Sequence, residues 1–345
     1  MPLPNDNRAA LEALYAQMRP ASLYPLWEVL HALVTPTPGT DARAWRWQYA
    51  PAREYLLRAG GLISAEQAER RVLILENPGL PGTSAITNSL YAGLQLILPG
   101  EVAPCHRHTQ SALRFVMEGH GAHTAVDGER AVMEPFDLVL TPNWQWHDHG
   151  NHSDAPMIWL DGLDIPTVRF YAASFAERMG GEHPPTAPAG DTAQRYGRNL
   201  RPFAGSIAAR RPAALPLFHY PYREWRESLA AMARAAAPDP RLGHALEFIN
   251  PADGGAIMPT ISAHVRLLPK GFSTAPRRAT DGTVFVVVEG QGSAMVAGET
   301  IPLAPRDLLV VPSWSELTLH AETELVLFGY SDRAAQDKLC LWREA

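Results

Sequence analysis

The sequence predicts a chain dominated by β-structure, in which one sandwich or barrel is built twice behind a helical N-terminal segment. Two observations lead there. From about Val72 to Leu163, and again from about Ile261 to Tyr330, short apolar or alternating runs are separated by Gly, Pro, Asn and Asp, the texture of an all-β sandwich or barrel. The punctuation of the two stretches also matches. Gly100 and Gly119 align with Gly271 and Gly290 at one constant offset, and Pro135-Phe136-Asp137 and Pro142-x-Trp144 align with Pro305-Arg306-Asp307 and Pro312-x-Trp314 after a single-residue slip. Such self-similarity is the mark of an internal duplication.

Residues 7 to 34 repeat Leu11, Leu14, Tyr15 and Met18, then Leu26, Val29, Leu30 and Leu33, at helical spacing until Thr35-Pro36-Thr37-Pro38 stops the pattern. Ser64-x-x-Gln67 resembles a capping box that opens a short helix ending near Arg70. Candidate strands follow at Ile86 to Leu98, Ser111 to Met117, Leu138 to Leu140 and Met157 to Leu160. Residues 180 to 215, rich in Pro, Ala and Arg, read as an interdomain connection, and Tyr222 to Ala236 as one amphipathic helix. The expected organisation is a helical segment over 1–70, a first β domain over 71–175, a linker and helix over 176–250, and a second β domain over 251–345.

With 345 residues and 46% hydrophobic content the chain has the material for two domains with substantial cores. No run of apolar residues is long enough to span a membrane, and the start, Met1-Pro2-Leu3-Pro4-Asn5-Asp6, lacks the basic and apolar regions of a secretory signal. A cytoplasmic location is expected. Cys105 and Cys340 are too few for a disulfide framework. The net charge of −6 offers no electrostatic reason to expect nucleic acid or an anionic membrane as partner.

Two histidine pairs carry the chemistry. His106-x-His108 follows Gly100, and His147-x-His149 follows Pro142. Alternation places the members of each pair on one face of a strand, and if the strand after His108 is continuous, Ala112 and Arg114 share the face of His106 and His108. A barrel interior lined this way gathers His106, His108 and His147 around one ion. Imidazole alone does not choose among Zn, Cu, Fe and Ni. One His in a β protein is more often structural than a ligand, but two pairs inside a matching Gly/Pro frame reverse that balance. His120, His123 and His152 lie off the motif and read as structural, and Trp144 and Trp146 as core anchors.

Gly100-x5-His106-x-His108-x3-Ala112-x6-Gly119, followed by Pro142-x4-His147-x3-Asn151, resembles the paired motifs of the cupin superfamily. Cupins usually carry Glu at the Ala112 position and Gly where Phe136 and Trp144 stand. Within that superfamily, the stretch from Tyr91 to Phe115 is similar to the gentisate 1,2-dioxygenase family, which includes salicylate and 1-hydroxy-2-naphthoate dioxygenases. The resemblance continues through Arg70-Arg71-Val72-Leu73, Pro142 to His152, Trp159 to Asp164 and Asn250-Pro251, with Cys105 where Ala is usual.

The resemblance implies a bicupin of two double-stranded β-helix (jelly-roll) barrels, a non-haem Fe(II) cofactor, cleavage of an aromatic ring between its carboxyl- and hydroxyl-bearing carbons with O2, and a homo-oligomer, most often a tetramer. The missing carboxylate at Ala112 agrees. Three neutral histidines leave Fe(II) its full double charge and about half of its positions open, suited to an ortho-hydroxybenzoate chelating through two oxygens. Arg114 and Arg70 fall on family-matched positions and are candidates to hold the substrate carboxylate. Tyr91, Gly93 and Gln95 alternate with Leu94 and Leu96, so one face of that strand lines the pocket and Gly93 gives the ring room. His149 is assigned to proton transfer or orientation, with Asp161 as its partner.

For gentisate the product is maleylpyruvate. Rival readings are salicylate or 1-hydroxy-2-naphthoate cleavage, a cupin that binds an aromatic acid without turning it over, and a metal-dependent isomerase or decarboxylase. In the second repeat Arg277, Ala279 and Leu317 replace the three ligands, so that barrel is expected to be metal-free and structural.

Overall fold

The structure, a computed structural model, describes residues 5–179, 187–197 and 217–345. It divides into two compact units, Met1–Gly39 and Thr40–Ala345. In the first, the expected helical stretch is two helices, α1 (Asn5–Met18) and α2 (Leu26–Leu33). A 3-10 turn at Arg19–Ala21, with Pro20 inside it and Ser22 in the left-handed region, separates them. Tyr15 joins them: its hydroxyl donates to Glu28 at 2.9 Å and accepts from the Trp27 indole at 2.6 Å. No residue of α2 is buried.

The larger unit opens with β1 (Trp45–Trp47), α3 (Tyr49–Leu62) and α4 (Ala65–Ala68). The first half of the duplication then runs through β2 (Arg71–Ile74), β3 (Tyr91–Ile97), β4 (Val102–His108), β5 (Ala112–Glu118), β6 (Ala122–Val126), β7 (Glu129–Val132), β8 (Leu138–Thr141), β9 (His147–Asn151) and β10 (Met157–Leu163). Next come α5 (Ile165–Phe170), β11 (Ala176–Arg178), α6 (Asp191–Tyr196), β12 (His219–Tyr220) and α7 (Tyr222–Ala235). Most of the expected connection, 180–186 and 198–216, lies outside the described residues. The second half comprises β13 (His244–Phe248), β14 (Ser262–Leu268), β15 (Thr283–Glu289), β16 (Gly292–Val296), β17 (Glu299–Leu303), β18 (Leu308–Val311), β19 (Leu317–Ala321) and β20 (Leu325–Ser331), closed by α8 (Arg333–Lys338).

The first barrel sets the sheet β12-β8-β5-β10-β3-β2 against β11-β4-β9-β6-β7; the second sets β1-β18-β15-β20-β14-β13 against β17-β16-β19. This is the bicupin architecture. The strand expected from Ile86 begins only at Tyr91, because Thr87 closes a turn by accepting from the Leu90 amide at 3.1 Å. Nor is the strand after His108 continuous. The chain leaves β4, turns, and enters the other sheet at Ala112, so the histidines and Arg114 reach one interior from two sheets.

The halves interlock by exchange. β1 pairs with β18 of the second barrel, and β12 pairs with β8 of the first. The helix after each follows suit: the Tyr49 amide at the start of α3 donates to Asp307 at 3.0 Å, and the Tyr222 amide at the start of α7 donates to Asp137 at 2.7 Å. A carboxylate at a helix N-terminus satisfies an orphan N–H and complements the helix dipole. Two side-chain bonds repeat the exchange, Thr260 to Asp164 at 2.5 Å and Ser89 to Asp332 at 2.7 Å.

Alternation along each strand divides the packing into layers. Leu94, Leu113, Phe115, Leu138 and Ile158 of the first barrel share one core with Val284, Val310, Phe328 and Tyr330 of the second, and Phe115 stacks on Phe328 at 4.0 Å. Most of the second barrel's interior is a separate apolar cluster of Phe285, Val287, Ala294, Leu309, Leu319 and Leu327. The first barrel's interior is polar instead, with buried Gln95, His106, His108, Arg114, Thr124, His147, His149 and Asp161.

Candidate metal centre and active site

Antiparallel register brings His106 on β4 directly opposite His147 on β9. Their rings lie 4.2 Å apart, and His108 is 4.7 Å from His147. One nitrogen from each of the three falls within 4.8 Å of the others. The far side of each ring is held by a backbone carbonyl: His106 Nδ1 by Pro104 at 2.8 Å, His108 Nδ1 by Gln110 at 2.9 Å, and His147 Nδ1 by Gln145 at 2.9 Å.

A carbonyl can only accept, so each Nδ1 carries the proton and each Nε2 keeps its lone pair. The Nε2 atoms of His108 and His147 are buried without a partner, and that of His106 meets the Arg70 guanidinium. Burial first, then the nearby Arg70 charge, pushes His106 down to about 3 and His108 to about 4. His147 also lies well below the ordinary value, chiefly through burial. Three neutral, convergent imidazole donors, oriented from behind and two of them otherwise unsatisfied, fit a transition-metal ion.

His149 differs. It is fully buried and its Nε2 is also unpartnered, but its Nδ1 faces the Thr124 hydroxyl at 2.9 Å. The expected partner, Asp161, is elsewhere. It stands opposite Arg114 in the other sheet, its Oδ1 3.3 Å from Arg114 Nε and accepting from the Trp159 indole at 3.1 Å. Thr124 takes its place because β6 pairs with β9 in the register Thr124↔His149. No motif marks Thr124; only the cross-strand register finds it.

Arg114 also donates to Thr141 at 2.9 Å. Burial lowers it to about 10, opposed by Asp161, so it remains a cation at neutral pH. Arg70 reaches the same space from the kink after α4. The predicted capping box is present, with Gln67 N donating to Ser64 Oγ at 3.1 Å and Ser64 N donating to Gln67 Oε1 at 3.2 Å. The helix stops at Glu69, whose φ is +54°, and Glu69 pairs with Arg178 at 2.6 Å. Arg70, itself still exposed, is left to turn toward His106, and with it, Ala103 and Pro104 it lines a cavity of about 830 Å³.

Tyr91, Gly93 and Gln95 share the inner face of β3, with Gly93 opposite Asp161 and Gln95 opposite Trp159. The room at Gly93 is not simply free: a Cβ there would lie 2.7 Å from the Tyr91 hydroxyl and 2.5 Å from Val72. Gly93 thus admits the Tyr91 phenol. Burial, with Asp161 nearby, raises that phenol's pKa and keeps it protonated. Trp144 and Trp146 are half-buried rather than core anchors, and hold the Arg107 guanidinium 4.4 and 4.5 Å from their ring centres. His123 pairs with Asp148 at 3.2 Å and stacks on His152, away from the centre. In the second barrel Arg277 bridges Leu317 as His106 bridges His147.

Among the described residues no helix is long and apolar enough to cross a membrane. The Cupin domain family matches residues 93–163. Gentisate 1,2 dioxygenase 1 of Aquipseudomonas alcaligenes is 52% identical, covering 96% of this chain and 95% of its own. The 1-hydroxy-2-naphthoate 1,2-dioxygenase of Nocardioides sp. (strain KP7) is 34% identical over 98% of this chain and 86% of its own. The crystal structure of salicylate 1,2-dioxygenase from Pseudaminobacter salicylatoxidans superposes with a TM-score of 0.90 at 34% identity, covering 100% of this chain and 98% of that one. Near-complete coverage at 52% identity, on a barrel with three convergent histidines, makes this chain a member of the gentisate 1,2-dioxygenase family of ring-cleaving bicupin enzymes.

Proposed function

We propose that the protein is an Fe(II)-dependent gentisate 1,2-dioxygenase that opens the ring between the carboxyl- and hydroxyl-bearing carbons to give maleylpyruvate. The observation that carries this reading is the set of three imidazoles locked by carbonyls with their Nε2 lone pairs converging beside two guanidinium groups. The 52% identity to a gentisate dioxygenase supports the choice of substrate. Fe(II), held by His106, His108 and His147, supplies the one-electron chemistry by which dioxygen reacts with an aromatic ring.

The chain's own residues do the rest. Arg70 and Arg114 neutralise and orient the substrate carboxylate, and Asp161 holds Arg114 in place through the Nε contact. Tyr91, kept as a phenol, donates a hydrogen bond to a ring substituent, and Gln95 lines the floor. His149 moves the proton of the substrate hydroxyl. Its Nδ1 partner is a hydroxyl, which can accept or donate, so the ring can take either neutral tautomer. When Nδ1 carries the proton, the Thr124 hydroxyl has Met133 Sδ at 3.4 Å to turn to.

We extend the proposal to a cytoplasmic homotetramer, as the family resemblance implies; sedimentation velocity at micromolar concentration reads the assembly. A salicylate 1,2-dioxygenase at a TM-score of 0.90 favours salicylate as the second reading. Oxygen uptake by the Fe(II)-reconstituted protein decides between them, with gentisate, salicylate and 1-hydroxy-2-naphthoate supplied in turn. Gentisate is expected to give the highest kcat/KM, and no uptake with any of the three would remove the dioxygenase reading in favour of a binding protein.

A further inference from the structure

The second barrel has its own cavity, about 550 Å³, lined among others by Ala263, His264, Arg266, Arg277, Asp281 and Trp342. It occupies the place of the first barrel's site. His264 stands opposite Gly329 as Gly93 stands opposite Asp161, and Arg266 opposite Leu327 as Gln95 stands opposite Trp159. Phe285 pairs with Gly329 where Arg114 pairs with Asp161. The buried cation is therefore kept but moved from β5 to β14, and the position of its carboxylate partner has become Gly329. A side chain there is also shut out, since a Cβ at Gly329 would lie 2.7 Å from the His264 ring.

Arg266 is 6% exposed, its Nε is sealed without a partner, and among the described residues no hydrogen bond or ion pair serves its guanidinium. The Phe285 ring lies 5.2 Å away, and the Asp281 and Asp239 carboxylates act on the guanidinium through space without bonding it. Burial, then Arg277, lowers it only to about 10, so it is charged at neutral pH. The acidic groups around the mouth are largely committed. Asp281 accepts from the Trp342 indole at 2.8 Å, Glu344 pairs with Arg277 at 2.9 Å, and Asp239 caps the amides of Arg241 and Leu242 at 2.8 and 3.0 Å; Glu247 is on the exposed rim. A buried cation with unused donors calls for an anion.

We propose that this cavity is a second ligand site, taking a small organic carboxylate. Arg266 grips the carboxylate with its planar fork, His264 adds its unpartnered Nε2, and Ala245, Ala263 and Trp342 receive the hydrocarbon body. The other charges of the lining, Arg241, Arg277 and Arg333 against Asp239, Glu247, Asp281 and Glu344, leave little excess positive charge, and a planar carboxylate matches the guanidinium fork, which favours a monocarboxylate over a phosphate dianion.

The probe is 4-bromobenzoate, applied to full-length iron-loaded protein. In crystals of the wild type it is expected to give an anomalous bromine peak in the second cavity, and in calorimetry a binding event beyond that of the first barrel's site, which weakens at least tenfold in Arg266→Gln while kcat for the ring-cleaving reaction is unchanged. No bromine in that cavity at saturation would overturn the proposal, whether or not the variant folds. So would undiminished affinity in a folded Arg266→Gln, or a bromine peak with no matching event in solution, which would mean binding at crystal concentration only.

Discussion

His106, His108 and His147 have a backbone carbonyl behind each ring, and His149 has a hydroxyl; in the proposed function that difference separates three metal ligands from one acid–base group. The substrate grip is tested at Arg114. Arg114→Gln keeps a donor near Thr141 but removes the charge, and a charge-assisted bond contributes roughly 1.5–3 kcal/mol. The expected loss in kcat/KM is about 10- to 150-fold with iron content unchanged; an unaffected kcat/KM would assign Arg114 to the fold alone. Acid tests the buried imidazoles. All four have folded pKa values below the ordinary 6.5, so between those values and 6.5 the unfolded chain binds more protons. Iron-free protein should therefore be fully stable above about pH 6.5 and lose up to roughly 1.4 kcal/mol per pH unit per histidine below it. Melting curves from pH 7.5 to 5 read this, and a flat Tm would contradict it. The clustering of His106, His108 and His147 with Arg114 in one interior was legible in the sequence because each lies inside a short local motif. Thr124 behind His149, and Arg114 rather than His149 beside Asp161, were not, because cross-sheet partners depend on register and no local spacing encodes it.

Elements carry the duplication further than the matched motifs did. Phe136 and Trp144 adopt φ of +67° and +61°, and their counterparts Arg306 and Trp314 +68° and +60°. The turns that usually take Gly are thus kept with four side chains bearing a Cβ, at a cost of about 1–2 kcal/mol each. Backbone bonds hold both copies: Trp144 N to His108 O at 2.8 Å and Trp314 N to Ala279 O at 2.6 Å. The capping box of α4 and the reach of α7 were readable from sequence. Helix α3 was not, because Pro51 and Gly60-Gly61 look like breakers; Pro51 sits in the first turn, where its missing N–H has no intrahelical partner to lose. The exchanged helices depend on their carboxylate anchors. Asp137→Ala orphans the amides of Tyr222 and Glu134 and the ring of His219, and should lower unfolding free energy by about 2–3 kcal/mol. Urea titration checks this, and a loss within about 0.5 kcal/mol would mean that the anchor is redundant.

Over the whole molecule, the two barrels divide the work of one fold used twice. The first leaves its interior polar for chemistry, the second fills most of its interior with aliphatic side chains, and their outer sheet faces form the largest core. Phe328→Ala opens a cavity against Phe115 in that shared core, for an expected loss of about 3–5 kcal/mol. Because the halves exchange strands and helices, the variant should still melt in one transition; two resolved transitions would show barrels that fold independently. The sequence made the repeat and its vanished ligands visible, but not the exchange, since β1 and β12 are too short to carry a strand signature. In the proposed function one iron, held by His106, His108 and His147, serves ring cleavage. The most direct test of this reconstitutes the wild type and His147→Ala anaerobically with Fe(II), counts bound iron, and then admits oxygen with limiting gentisate. A single iron per chain and a single O2 consumed per gentisate are expected in the wild type, with both lost in the variant. Iron near two per chain, or oxygen uptake that survives in His147→Ala, would contradict that proposal.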